Sequence, residues 1–433
     1  MTDNNKKTQS AALRRDPNFR WMMSGAAISM LGDQFTLIAL PWLVLKMTGD
    51  TLALGTVLAI ISIPRALFIL VGGALVDRYS PKRVLMVTKH VNTLLLGLLA
   101  LLVLAGVAKL WMVYVLALGI GLSTAFSIPS GTSMMPYVVR RDQLHAANGM
   151  MMGLRPLSMF AGPLLAGVLI AVFGDGSSGA LTDAKGLGLA FLFDAASFAL
   201  SAWTLSKVIE HGQPGAASAP RQPVGQAVMA GLRYCWNDVS LRTCFLYWAA
   251  VAFFISGPIQ VALPVLAEQL PQGAAAFGAL AGAHGAGTLI GMAVSGARPG
   301  MRLRNLGTTI LAIDIVIGAL FIPMGWISVT WQGMALLLAI GSLGGFLQVT
   351  VYSWLQGYVT PAMIGRAMSV FMFIFMGIAP MAAAATGWLL RFVTPGQLFI
   401  GSGAMLVDIV AVTFAASGMR SISEVRSAAG QES

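Results

Sequence analysis

The sequence predicts an all-α membrane protein with twelve transmembrane helices in two six-helix halves and both termini cytoplasmic. Three observations carry this reading. Apolar residues make up 57% of the chain and charged residues only 10%, against about 25% charged in a soluble domain. The apolar residues fall into twelve long runs, six on either side of one polar stretch. The Lys and Arg residues gather in alternate loops.

Crossing a hydrocarbon layer of about 30 Å takes roughly 20 apolar residues. On that window, spans are expected at 19–45, 52–76, 84–106, 110–136, 149–173 and 187–207, then at 241–266, 275–297, 305–326, 330–357, 366–392 and 396–418. The expected organisation is a cytoplasmic N-terminus (1–18), an N-terminal six-helix half (19–207), a cytoplasmic linker (208–238), a C-terminal six-helix half (239–418) and a cytoplasmic tail (419–433). The linker is the one loop long enough to join two domains, and a short amphipathic helix is expected in it near Val224–Trp236.

Orientation follows from the enrichment of Lys and Arg in cytoplasmic loops. Of the 27 such residues, 22 fall on the side of the N-terminus, four (Lys46, Lys109, Lys185, Arg391) on the other, and Arg65 lies inside a span. In this count Lys89 and Arg155 belong to cytoplasmic segments. The same asymmetry accounts for the net charge of +11 without nucleic acid as a partner. The partners expected are the lipid bilayer and a small-molecule substrate, with the chain a monomer. No cleavable signal peptide is expected, because the first twenty residues are polar. Cys235 and Cys244 are too few for a disulfide framework, and no Cys/His cluster has metal-ligand spacing. No nucleophile–base pair or phosphate loop is evident, so an enzyme is not expected; the glycine runs lie inside apolar helices, where they serve packing.

Three stretches carry a family resemblance. Between spans two and three runs Gly72-Gly73-Ala74-Leu75-Val76-Asp77-Arg78-Tyr79-Ser80-Pro81-Lys82-Arg83. It resembles the cytoplasmic loop signature of the major facilitator superfamily at Gly73, Leu75, Asp77, Arg78, Lys82 and Arg83, and departs from it at Ser80 and Pro81. Glycine lets helices approach closely, and the carboxylate suits a helix N-terminus or nearby arginines. The resemblance implies a latch that holds the outward-open state. In span five, Gly149, Ser158, Gly162, Pro163, Ala166 and Gly167 are similar to the superfamily's antiporter motif, with Ser158 and Ala166 in place of glycines. Finally, Ile128-Pro129 through Met135-Pro136, Val139-Arg140-Arg141-Asp142-Gln143-Leu144, Leu31-Gly32-Asp33, Ala39-Leu40-Pro41 and Gly365-Arg366-Ala367-Met368-Ser369 resemble the branch that holds macrolide-type drug efflux proteins and siderophore exporters. One departure is that Tyr114–Ala125 in span four lacks the arginine many proton antiporters carry there.

A charge at mid-bilayer is costly and marks function by default. Asp33 lies about 14 residues into span one, near the midplane at 1.5 Å per residue. It is the expected proton- or cation-binding carboxylate, with Arg65 and His284 as further proton-coupling candidates. Arg65 lies at a similar depth and either pairs with Asp33 or attracts an anionic substrate. Gln34, Gln260, Gln348, Tyr352 and Gln356 are the expected substrate-cavity residues, on spans that line the cavity in the resembled fold. Asp194, Asp314 and Asp408 fall on peripheral spans, where structural roles are expected.

The function these readings imply is secondary active transport in a bacterial cytoplasmic (inner) membrane. The leading expectation is proton-coupled export of a small amphipathic, drug-like compound by alternating access, with the proton gradient as energy source and no cofactor. The alternatives are a dedicated exporter of a siderophore, lipid or other metabolite, and a small-solute importer or facilitator.

Overall fold

The computed structural model describes residues 13, 15–78, 80–140, 143–175, 184–210, 224–298, 301, 305–360 and 363–422. The described residues form thirteen helices and no strand. In the first part of the chain these are α1 (Pro17–Thr48), α2 (Thr51–Arg78), α3 (Pro81–Leu104), α4 (Leu110–Val138), α5 (Leu144–Phe173) and α6 (Lys185–Lys207). The short α7 (Val224–Asn237) follows. Then come α8 (Val239–Glu268), α9 (Ala274–Ala297), α10 (Leu306–Phe321), α11 (Thr330–Tyr358), α12 (Ile364–Leu389) and α13 (Pro395–Ala416). Eleven helices are long and apolar enough to cross a membrane, and α2 adds a shorter described apolar stretch, Thr51–Arg65. Every expected span has its helix, and α7 is the expected amphipathic helix.

Local chemistry sets the helix ends. Asp16 caps α1 by accepting from the N–H groups of Asn18 (2.8 Å) and Phe19 (3.3 Å). Gly49 closes the same helix in the left-handed region (φ 59°) and donates its N–H to Leu45 O. Asn305 and Thr394 open α10 and α13 with reciprocal side-chain and backbone bonds. In α8, Pro258 lacks an N–H to continue the α-helical ladder, and Pro258–Ala262 forms a π turn.

The chain divides into two compact units. Unit 1 holds residues 1–221 and 272–282, and unit 2 holds 222–271 and 283–433. Within unit 1, α1 lies along α6 because Gly25 and Gly32, two turns apart, leave room for Thr204, Ser201, Ser197 and Asp194. The leading part of α9 belongs to this unit, with Gly278 packed on Gly167 and Pro163 of α5. Lipid tails are as apolar as these side chains, so close backbone approach and polar contacts drive helix association in a bilayer. Within unit 2, α9 meets α11 through Gly287, Gly291, Gly341 and Gly345. An aromatic cluster of Phe245, Trp248, Trp354 and Phe371 fills its core.

Candidate functional site

The site builds up around the middle of α1. Gly32 abuts α6 so tightly that a Cβ there would lie 2.5 Å from Asp194 Oδ1. Asp194, 1% exposed, accepts hydrogen bonds from Thr36 Oγ1, one turn along α1 from Asp33, and from Ser197 Oγ at 3.2 Å. Two hydroxyl donors thus satisfy a carboxylate sealed between α1 and α6, the structural placement expected of it.

Asp33 itself is exposed although it lies midway along α1. An ionised group at that depth is stable where water reaches it and costly against hydrocarbon. Three cations act on its carboxylate: Lys89, Arg65 and Arg155.

Lys89 corrects the sequence reading. It lies inside α3 and is only 7% exposed, not in a cytoplasmic loop. Its Nζ donates to Ser201 Oγ (2.5 Å) and Ser29 Oγ (3.4 Å) and sits 5.6 Å from the centre of the Phe198 ring. Ser201 in turn donates to Gly25 O at 2.6 Å, so one ammonium fastens α3 to both α1 and α6. Arg155 is corrected likewise. It lies inside α5, exposed, and acts on both Asp33 and Arg65. Both fall inside the expected spans at 84–106 and 149–173, but counting charges by side of the membrane assigns them to cytoplasmic segments without placing them in α3 and α5.

Arg65 follows Pro64 in α2. It feels the Asp33 charge, yet among the described residues no hydrogen bond or ion pair joins them, and Arg65 Nε is buried without an acceptor. Gln34 packs its Cβ and Cγ against Gly162 of α5; a Cβ on that glycine would lie 2.6 Å from Gln34 Cγ. The span-five motif therefore has two kinds of member. Gly162, Pro163 and Gly167 make close helix contacts, Ser158 is buried, and Gly149 has open space around it.

The remaining candidates lie in unit 2 or at its boundary with the loops. Gln260 sits on the π turn of α8, half-buried. Gln348, Tyr352 and Gln356 follow one another at four-residue spacing along α11; both glutamines are exposed, and Tyr352 donates to Met372 Sδ at 3.6 Å. His284 lies in α9, where its carbonyl accepts from Thr288 Oγ1 at 3.0 Å and its backbone is packed against Gly341. Asp314 is buried and accepts from Tyr247 OH at 2.6 Å, while Asp408 is exposed on α13.

In the loop signature, Lys82 Nζ donates to Val208 O at 2.6 Å and Ser80 Oγ to Glu210 at 2.8 Å, and Arg83 is exposed. These bonds tie the start of α3 to the end of α6, where Asn18 also exchanges two hydrogen bonds with Ile209 (2.9 and 3.1 Å). Gly73, Asp77 and Arg78 lie on the last turns of α2, and their side chains are outside the described residues, as are Arg141, Asp142 and linker residues 211–223.

A helical bundle of this length is that of a multi-pass membrane protein, and ionisable groups held at mid-span mark a functional site within it. The model of the Major Facilitator Superfamily matches residues 22–384, and the chain belongs to that family. It is 25% identical over 406 residues to proteins named enterobactin exporter EntS, from Shigella boydii serotype 18 (strain CDC 3083-94 / BS512) and Escherichia coli O139:H28 (strain E24377A / ETEC). Those matches span 92% of this chain and 91% of the relatives. Its fold matches the solved structure of the nucleoside transporter NupG with a TM-score of 0.71 and 12% identity, over 93% of this chain and 99% of that one. It also matches a bacterial homologue of the iron transporter ferroportin in an inward-facing state, with a TM-score of 0.63 and 16% identity over 91% and 97% of the two chains. At these identities the solved structures speak for the fold alone.

Proposed function

We propose that this chain is an exporter that moves a small amphipathic metabolite out of the cytoplasm by alternating access, with the proton gradient engaged through Asp33. The observation that carries the reading is Asp33, an exposed carboxylate at the mid-depth of α1 with three cations acting on it. A carboxylate at that depth is a site where a proton can be taken up and released, and the surrounding cations make its charge state matter to whatever binds nearby. The direction of transport rests on the span-five motif and on relatives named as exporters over nine-tenths of their length. Those relatives favour a dedicated metabolite, of siderophore type, over a broad drug range. In this reading the chain sits in a bacterial inner membrane with both termini cytoplasmic, and it moves its substrate without chemical change.

The test is transport in proteoliposomes with an imposed pH gradient, comparing the parent with Asp33→Asn against a panel of metabolites and drugs. Gradient-driven movement of a compound by the parent, lost in the variant, is the expected result. Transport that is insensitive to Asp33→Asn would overturn the role of this carboxylate, and movement only of drugs would reverse the substrate preference.

A further inference from the structure

The charges at the centre of unit 1 do not balance. Arg65, Lys89 and Arg155 act on Asp33, and the one further acid coupled to it is Asp194. Asp194 accepts from Thr36 and Ser197 rather than from a cation. Even with both carboxylates ionised, three cations face two acids, and the acid nearest the cations is Asp33 alone.

The cations also differ in what already holds them. Lys89 is buried and committed to Ser201 and Ser29. Arg155 is exposed, and Arg65 keeps a buried Nε with no acceptor. These two guanidinium groups sit close enough to act on one another, which for like charges in a membrane interior is unfavourable unless something negative lies between them. A guanidinium is a planar fork of donors that matches the oxygens of a carboxylate, sulfonate or phosphate. Around Arg155 on α5, Met151, Met152 and Met159 stand one turn away, with Met152 66% exposed. Such flexible, polarisable side chains suit an apolar body of variable shape.

We propose that the transported compound is an organic anion whose oxyanion group is taken by Arg65 and Arg155. This rests on the export reading above and names its substrate class. A cationic compound at the same place would meet three positive charges against one accessible carboxylate. Lys89 holds α3 in place and adds positive potential without contacting the ligand.

The test uses two xanthene dyes of similar shape and opposite charge, carboxyfluorescein and rhodamine 123, with binding to the full-length protein in detergent followed by fluorescence anisotropy. The parent is expected to bind carboxyfluorescein saturably and at least tenfold more tightly than rhodamine 123. Arg155→Gln and Arg65→Gln are each expected to cut that preference tenfold or more, and Arg155→Lys to keep most of it. Size-exclusion profiles confirm that each variant is folded; Arg155, being exposed, is the variant least exposed to folding failure. A purely structural role for the arginines would lower the affinity for both dyes together and leave their ratio unchanged. Equal binding of the two dyes, binding of neither, or a ratio indifferent to both substitutions overturns the inference. Export of a neutral or cationic compound by a parent that binds no anion overturns it while leaving the export reading standing. Arginine-dependent anion binding without any transport does the reverse.

Discussion

Replacing Gly167 with alanine tests whether the span-five motif works by backbone contact. A Cβ at Gly167 would lie 2.8 Å from Gly278 Cα and 2.9 Å from Ala274 O. Both are main-chain atoms of α9, so no side chain can swing aside to make room. Carbon atoms in contact prefer about 3.5–4.0 Å, so α5 and the start of α9 must part by about 0.7 Å or more along the contact. Overpacking of a tight interface costs about 1–3 kcal/mol. Gly149 belongs to the same motif but has nothing within 4 Å of its would-be Cβ. There alanine should be neutral, or better by up to about 1 kcal/mol from helix propensity. Thermal unfolding of detergent-purified protein, followed by fluorescence-detected size exclusion, separates the two. Gly167→Ala should melt several degrees below the parent and Gly149→Ala at or above it. Equal melting of the two variants would mean that the close approach contributes nothing to the folded protein, and the argument from spacing to packing would fail.

Tyr247→Phe leaves the buried Asp314 without its hydroxyl donor, and a loss of about 1–3 kcal/mol is expected, read as a lower melting temperature. Lys89→Met removes the ammonium but leaves Ser201 bonded to Gly25 O and Ser29 to Ala26 O. It also removes the hydrogen bonds that fasten α3 to α1 and α6, so its melting point should fall below that of the parent by the equivalent of about 1–3 kcal/mol, and Lys89→Ala should melt lower still through the cavity it leaves. Cys235 on α7 is buried, and burial together with the Asp238 charge raises its thiol to about 11. Almost no thiolate then exists at pH 7.5, and the reactive fraction grows only as the pH climbs toward that value. Maleimide labelling of native protein at neutral pH should therefore be slow at Cys235 and rapid after denaturation in detergent.

Hydropathy made the helices legible, since each expected run contains most of a helix and α7 was visible from composition alone. What the runs could not reveal is how far a helix extends past its apolar centre. Lys89 and Arg155 fall inside the expected runs at 84–106 and 149–173, but a count of charges by side assigns them to the cytoplasmic face and says nothing of what they touch inside α3 and α5. A signal existed for Arg155: it precedes Pro156 inside a long apolar stretch, much as Arg65 follows Pro64. For Lys89 the signal was distributed over Ser29 and Ser201, which lie 60 and 112 residues away, and no local pattern links them. Asp33 stood out because a lone acid in an apolar run has few bland explanations. Its neighbours did not, because which face of α1 meets α6 depends on Gly25 and Gly32, and periodicity in an all-apolar helix does not define a face.

The π turn at Pro258–Ala262 has a consequence for the phase of α8. Widening one turn by a residue shifts all that follows by about 100° around the helix axis relative to a continuous α-helix. A helical wheel drawn unbroken from Val239 to Glu268 would therefore assign Leu263–Glu268 to the wrong sides. The run Val261, Ala262, Leu263 and Pro264 is buried residue after residue, as expected where two faces overlap at a change of phase. Deleting one residue here would restore a regular ladder and leave the end of α8 in its rotational phase, while a deletion elsewhere in the helix would turn everything beyond the cut by about 100°. Sequence alignments of α8 should accordingly tolerate a one-residue gap at Pro258–Ala262 and nowhere else along its length.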